Sequence, residues 1–108
     1  MNKLSLKDMT RGWFVGAFTP SAYFIDNCEV GVKRYKAGDY EEAHHHKMAL
    51  EITVIVSGEV EMNGVKYVED DIIVIWPGES TDFRCLTDVV TCVYKSRSVK
   101  GDKYIDKD

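Results

Sequence analysis

The chain contains 108 residues, of which 44% are hydrophobic and 30% are charged, as in an ordinary globular domain. This length predicts one domain with a modest core. The net charge of -4, without a run of basic residues, argues against nucleic-acid binding. No apolar stretch reaches the roughly 18 residues of a membrane span, and residues 1–10 lack the apolar core of a signal peptide. We therefore expect a cytoplasmic protein with no nucleic-acid or membrane partner.

The order of apolar runs and turn signals predicts a series of short strands and no helix. The strongest turn signal is Asn63-Gly64, because both residues tolerate the positive φ of a two-residue hairpin. Turn signals recur about every ten residues, which is typical of an all-β sandwich or barrel. The predicted strands are 28–35, 52–56, 59–62, 65–68, 72–76, 81–86 and 89–94.

We expect a single domain over residues 1–108, with its core at about 28–95. The strand at 72–76 is apolar on both faces, although a barrel wall needs an apolar inner face only. Residues 13–18 are expected to cover the outer face, either from the same chain or from a partner. Apolar surface rimmed by charges commonly forms a subunit contact, so we expect a homodimer. The polar tail from Ser96 is expected to lie outside the core, although Tyr104 and Ile105 could dock on it.

Three adjacent histidines, His44, His45 and His46, are the most informative feature of the chain. In an extended chain successive side chains point to opposite faces, so His44 and His46 share one face and His45 takes the other. Two imidazoles on one face can bind a metal ion or move a proton. Glu51 would face the other way if the strand simply continued. It can join the histidines only if residues 47–50 contain a turn, and these include neither Gly nor Pro.

The spacing around this cluster is Gly38, five residues, His44, one residue, His46, four residues, Glu51, six residues and Gly58. At each of these positions the segment resembles the first motif of the cupin superfamily. The resemblance covers about residues 30–94. It implies a single antiparallel jelly-roll barrel, and the strand pattern independently favours the same all-β architecture.

The second cupin motif is only partly present. Pro77-Gly78 fits it, but Asp70 stands where the family has glycine, and Thr81 stands where it has its final histidine. The nearest carboxylate that could replace this histidine is Asp82. Strand alternation points Asp82 away from the face that Thr81 occupies, unless a bulge intervenes.

For metal-binding cupins the resemblance implies three histidines and one glutamate as ligands. Carried over by position, this chain supplies His44, His46 and Glu51 only. Two histidines and one carboxylate still resemble the ligand sets of non-haem iron and of some catalytic zinc sites. We therefore expect a divalent metal (Zn, Fe, Mn or Ni) held by these three side chains.

A second resemblance competes with the first. The segment from His44 to Lys47 resembles the His-x-His-Lys segment of the sugar-nucleotide ketoisomerases, which are related in fold to the dTDP-sugar epimerases. In them the histidines act without metal, as acid and base beside a sugar carbonyl. Those enzymes usually carry glutamine or another non-ligand near the position of Glu51, which counts against the resemblance. A nucleotide diphosphate also needs basic residues, and the candidates, which are not clustered in sequence, are Lys33, Arg34, Lys47 and Arg84.

Three functions stay open at this point. The first is a divalent-metal pocket for a small carbonyl-bearing or anionic ligand, with His44 and His46 as catalytic residues of an isomerase, lyase or oxygenase. The second is a metal-free sugar-nucleotide ketoisomerase or epimerase, with His44 and His46 as acid and base. The third is a non-enzymatic cupin that binds a small ligand. The fold does not dictate the reaction, so whether the chain is an enzyme stays open.

Overall fold

The structure is a computed structural model that describes residues 1–106. These residues form short strands and two single 3₁₀ turns, Leu6–Asp8 and Thr10–Gly12, and contain no helix long and apolar enough to cross a membrane. The strands are β1 (Trp13–Gly16), β2 (Tyr23–Phe24), β3 (Glu29–Tyr35), β4 (Tyr40–His45), β5 (Glu51–Ser57), β6 (Glu59–Met62), β7 (Val65–Val68), β8 (Ile72–Ile75), β9 (Ser80–Cys85), β10 (Val89–Lys95) and β11 (Tyr104–Ile105).

The strands form two sheets, with the orders β2-β1-β3-β10-β5-β8 and β11-β4-β9-β6-β7. Every strand pair is antiparallel except β1 with β2. The all-β antiparallel barrel predicted from the sequence is therefore confirmed. The seven predicted strands correspond to β3 and to β5 through β10, with ends that differ by a residue or so. The Asn63-Gly64 turn joins β6 to β7 with φ of 50° and 78°, as the hairpin prediction requires.

The apolar core lies between the two sheets. Ile55 and Val60 are fully buried there, and full burial of a side chain of this size contributes about 1.5–3 kcal/mol. The core lies toward the end of the barrel where β5 turns into β6. The cluster comprises Ile55, Val60, Met62, Phe83, Cys85 and Val89.

The N-terminal segment extends a sheet instead of covering its outer face. β1 pairs with the edge of β3, and the Trp13 ring lies flat against Gly31, where a Cβ atom would come within 2.7 Å of the ring. The outer face of β5 and β8 consequently stays open. The side chains of Ile72 and Trp76 are 66% and 61% exposed. Within one chain, the expected covering of this face by residues 13–18 is not present.

The C-terminal tail is part of the fold. Tyr104 and Ile105 form β11, which pairs with His45 and His44 of β4. Asp102, just before β11, is only 6% exposed. The sequence places the tail from Ser96 outside the core, and the structure differs because a buried carboxylate finds backbone N–H partners in the loop after β4.

Candidate functional site

A cavity of about 630 Å³ opens at the end of the barrel opposite the apolar core. Its floor carries His44, His46 and Glu51, so the structure brings together the three side chains proposed from the sequence as metal ligands. Its walls come from β1, β3, β4, β5, β6, β9 and β10, and its mouth includes the segment before β1. Further lining side chains include Arg11, Trp13, Lys33, Arg34, Tyr35, Glu41, Thr53, Thr81, Phe83, Thr91, Lys95 and Lys103.

The rings of His44 and His46 meet edge to face, with their centroids 5.5 Å apart. Nδ1 of His44 lies 3.0 Å from the carbonyl oxygen of Glu42, and Nδ1 of His46 lies 2.7 Å from that of Asp102. A carbonyl oxygen can only accept, so both Nδ1 atoms carry a proton. In the neutral imidazoles, both Nε2 atoms are therefore free to accept a proton or to ligate a metal.

His46 is buried, and this burial lowers its pKa below the ordinary value of histidine. The nearby Lys95 ammonium and His44 lower it further, whereas the bond to Asp102 and the charge of Glu51 oppose the shift. Near pH 7 the ring is consequently neutral, and its Nε2 atom is available as a base.

His45 points away from the cavity, as strand alternation predicts. Its Nδ1 atom lies 2.9 Å from Oδ1 of Asp106, and its ring stacks on Tyr104 with a centroid distance of 5.5 Å. The middle histidine therefore anchors the C-terminal strand to β4 and takes no part in the cavity.

Glu51 reaches the histidines because the chain reverses between β4 and β5. Its Oε1 atom lies 3.7 Å from Nε2 of His46, and its Oε2 atom accepts a hydrogen bond of 3.1 Å from Oγ1 of Thr53. Thr53 is two residues further along β5 and is buried on the same face. The hydroxyl thus orients the carboxylate with its other oxygen toward His46.

The turn that sequence reasoning required, at residues 47–50, is held from outside by Asp102. This buried carboxylate accepts backbone N–H bonds of 3.0–3.2 Å from Lys47, Met48 and Ala49. Its own carbonyl oxygen accepts from His46. One C-terminal residue therefore fixes both the His46 ring and the turn that delivers Glu51. No local turn signal could have indicated this, because the partner lies more than fifty residues away.

The remaining position of the expected ligand set is not filled. Thr81 pairs with His44 across β4 and β9 and lines the cavity, but its hydroxyl donates to the carbonyl of Asp82. The Asp82 carboxylate faces outward, where it accepts from the Asn63 N–H at 2.7 Å. Within residues 1–106, no group of three or more His, Cys, Asp or Glu side chains is arranged to hold a metal ion.

A second polar pair, Tyr35 and Glu41, lines the wall beside the histidines. The Tyr35 hydroxyl donates to Oε1 of Glu41 at 3.2 Å. Burial, followed by the charge of Glu41, raises the pKa of Tyr35, so the phenol stays protonated. Simple alternation places Glu41 on the face opposite His44, but the register of β4 with β9 shifts between these two residues. Such a bulge re-aims a side chain, and the sequence carries no signal for it.

Neither a protein-family model nor any curated protein matches the sequence. Solved structures match the fold. A conserved Klebsiella pneumoniae protein with a double-stranded β-helix domain matches 77% of this chain and 74% of its own, at 19% identity and a TM-score of 0.68. A cupin-2 domain protein from Shewanella frigidimarina matches over 68% and 74%, at 10% identity and a TM-score of 0.58. The chain has the cupin fold.

One further structure with a similar fold is that of an enzyme. The DMSP lyase DddQ from Ruegeria pomeroyi shares 22% identity with 76% of this chain, at a TM-score of 0.65, and the match spans 44% of the lyase. Identities this low establish a shared fold only, so the reaction of that lyase is not transferred to this chain. The chemistry of this cupin fold must therefore be argued from its own cavity.

Proposed function

We propose that this cupin fold binds a small anionic, carbonyl-bearing molecule in its cavity and moves a proton on it, as an isomerase or epimerase does. The observation that carries the proposal is a neutral His46 with Nε2 3.7 Å from Glu51, inside a cavity of about 630 Å³. That volume suits a sugar-sized ligand. Five basic and two acidic side chains line the cavity, although the whole chain carries a net charge of -4.

The chemistry follows from these groups. Nε2 of His46 removes the proton from a carbon next to the ligand's carbonyl, and the resulting imidazolium is stabilised by the Glu51 carboxylate. The basic side chains stabilise the negative charge that develops on the carbonyl oxygen. Return of the proton to a neighbouring carbon gives isomerisation, and its return to the opposite face gives epimerisation. His44, whose ring contacts that of His46, supplies the second acid-base group.

A divalent metal is the second candidate, and the donor chemistry supports it in part. Ligating histidines ordinarily donate their other N–H to a backbone carbonyl or carboxylate, as His44 and His46 do here. Zn, Fe, Mn or Ni bound by His44, His46 and Glu51 would polarise the carbonyl as a Lewis acid. Two observations count against a metal. In the described part of the chain no three His, Cys, Asp or Glu side chains are arranged to hold an ion, and the positive charge of Lys95 near His46 would repel one.

The test is proton exchange at carbon with chelator-treated protein. Keto sugars, keto sugar acids and a dTDP-keto sugar are incubated in deuterium oxide, and ¹H NMR follows the loss of the signal next to the carbonyl. We expect exchange that His46→Ala abolishes and that His45→Ala, the matched control on the outer face, retains. Exchange on none of these substrates would contradict the acid-base role and favour a ligand-binding module.

Metal dependence separates the two candidates. Calorimetric titration with Zn²⁺, Mn²⁺, Fe²⁺ and Ni²⁺ should show no binding heat that His44→Ala removes, and exchange should survive the chelator. Binding heat that disappears in His44→Ala, together with exchange that requires the added metal, would establish the metal site instead.

We also propose a homodimer formed through the outer face of β5 and β8. Val56, Ile72, Val74 and Trp76 are exposed there, each by more than 40%. Burial of such apolar surface is the main driving force for subunit association. Light scattering coupled to size exclusion should give twice the mass of the 12.3 kDa chain, and Val74→Lys should give the monomer. A wild-type monomer at micromolar concentration would refute this interface.

A further inference from the structure

The mouth of the cavity gathers basic side chains that are far apart in the sequence. Thr91 and Val93 of β10 pair with Lys33 and Gly31 of β3, so these positions form successive rows of one inner face. The Trp13 ring lies on Gly31, and the Nζ atoms of Lys33 and Lys95 each lie 4.9 Å from its centroid. Two ammonium groups thus flank one aromatic ring at the entrance.

Arg11 and Lys103 complete the group, which we call the basic mouth: Arg11, Lys33, Lys95 and Lys103. Burial lowers the pKa of Lys33, and the charges of Arg11, Lys95 and Lys103 lower it further, with Glu41 acting in the opposite direction. The nearest acidic partner of Lys95 is Glu29, at 4.0 Å. Four cations therefore line one cavity, and the carboxylates of Glu29 and Glu41 beside them are too few to balance their charge.

The backbone at Arg11 and Gly12 has an unusual conformation that holds Arg11 close to β3 at the cavity mouth. Arg11 has a left-handed conformation, with φ of 50°, which is uncommon for a residue that is not glycine. Gly12 follows with φ of 83°, and a Cβ on it would lie 1.9 Å from the carbonyl oxygen of Val32. The chain is thus pressed against β3, and the Arg11 carbonyl accepts a hydrogen bond from Nζ of Lys33. Residues held in such conformations are commonly found at ligand-binding sites.

An unpartnered hydroxyl lies beside the basic mouth. Thr91, directly opposite Lys33 in the sheet, is 1% exposed and lines the cavity. Its Oγ1 atom has no hydrogen-bond partner within the described residues. Buried hydroxyls are nearly always satisfied, so this orphan is an unusual feature of the barrel wall behind the basic mouth.

We infer that the ligand carries a phosphate group, which the basic mouth binds while the rest of the molecule reaches toward His46. A carboxylate brings one negative charge and would leave most of the four cations uncompensated. A phosphate ester brings up to two charges and three acceptor oxygens, and a diphosphate brings more. The inference rests on the proposed function and narrows its ligand to a phosphorylated carbonyl compound.

The test uses Trp13 as a reporter. The chain has two tryptophans, and Trp76 is exposed and does not line the cavity, so a Trp76→Phe protein leaves Trp13 as the single tryptophan. Inorganic phosphate, glucose 1-phosphate and uridine diphosphate distinguish a free phosphate, a monoester and a diphosphate. Glucuronate at matched ionic strength is the carboxylate control. We expect saturable fluorescence changes with at least one phosphorylated probe, and binding at least tenfold weaker for glucuronate.

Charge removal tests the residues. In the Trp76→Phe background, Arg11→Gln with Lys33→Gln should weaken the best phosphorylated probe about tenfold or more, because each bond to a charged group is lost. Lys36→Gln, at an exposed position outside the cavity, should leave binding unchanged. If circular dichroism shows that the double variant is unfolded, Lys95→Gln replaces it, with the same expected loss.

Three results would overturn the inference. They are glucuronate binding as tight as glucose 1-phosphate, phosphate binding that the charge-removing variants leave unchanged, and no binding of any phosphorylated probe at millimolar concentration. In each of these cases the proposed proton transfer keeps its own test, because exchange on unphosphorylated keto sugar acids that His46→Ala abolishes involves no phosphate binding.

Discussion

The two ends of this barrel are built from the same strands but have opposite character. At one end Ile55, Val60 and Val89 are fully buried and in mutual contact. At the other end many of the inward positions carry charged side chains, hydroxyls or imidazoles, and a cavity of about 630 Å³ remains. The apolar end stabilises the fold, and the open end carries the polar groups of the candidate site.

Single strands show this change most clearly. The inward side chains of β5 are Glu51, Thr53 and Ile55, and their exposure falls to zero toward the apolar end. Along β9 the corresponding order is Thr81, Phe83 and Cys85. Because a strand alternates its faces with a period of two, a polar residue at one end of an inward row opens the barrel without disturbing the core at the other.

The largest expected effect is at the filled end. Ile55→Ala should lower the free energy of unfolding by about 3 kcal/mol, because it removes a fully buried side chain and leaves a void. Val65→Ala, at an exposed position on β7 outside the proposed dimer face, is the control and should cost less than about 1 kcal/mol. Urea denaturation measures both. Equal losses would show that the core does not lie between the sheets as described.

Asp102 tests whether the open end depends on its C-terminal partner. Asp102→Ala should lower the free energy of unfolding by about 2–3 kcal/mol, because three backbone N–H groups lose a charged acceptor. Amide hydrogen exchange at residues 47–49 should accelerate more than exchange in β10. Asp106→Ala, an exposed carboxylate on the same segment, is the control and should have a smaller effect. Unchanged exchange at 47–49 would contradict the proposed role of Asp102.

Thr91 tests whether the unpartnered buried hydroxyl at the open end affects the stability of the fold. Thr91→Val keeps the shape and removes an unpartnered buried hydroxyl, so it should be neutral or stabilise the free protein by about 1 kcal/mol. The thermal midpoint in the absence of ligand measures this effect. A loss of more than about 1 kcal/mol would mean that the hydroxyl contributes to folding.

The smallest expected effect is a pH dependence due to His46. Its pKa is lowered in the folded state, so below about pH 6.5, the ordinary value for histidine, the unfolded chain binds more protons than the folded one. This residue's contribution to stability is therefore fully present above that pH and declines as the pH falls toward the folded-state pKa. In chelator-treated protein, wild type should lose more stability than His46→Asn between pH 7.5 and 5.5, two readings about one unit either side of the ordinary value. Parallel plots of stability against pH for wild type and His46→Asn would contradict this prediction.

Sequence reasoning predicted seven of the eleven strands in the described residues, because these seven are short, contain β-branched residues and lie close to turn residues. It did not predict β1, β2, β4 or β11 as strands. The Asn63-Gly64 hairpin and the opposite faces of His44 and His45 follow from local backbone rules alone. A pocket shared by His44, His46 and Glu51 was implied by the resemblance to the cupin motif, because strand alternation alone places Glu51 on the opposite face. Local rules gave no sign of Glu41, because a bulge in β4 places it in the cavity.

The remaining parts of the site come from residues distant in sequence. Arg11, Lys33, Lys95 and Lys103 share no motif, and only the pairing of β1, β3 and β10 brings them to one mouth. The same holds for Asp102, which acts on a loop more than fifty residues away.

The sequence by itself determined an all-β barrel and two histidines on one face, because side-chain alternation and turn preference depend only on neighbouring residues. The tertiary structure decided that Glu51 approaches His46, that Thr81 leaves the usual ligand set incomplete and that Lys33 and Lys95 flank Trp13. Each of these facts depends on which strands become neighbours, and that choice is set by burial over the whole chain.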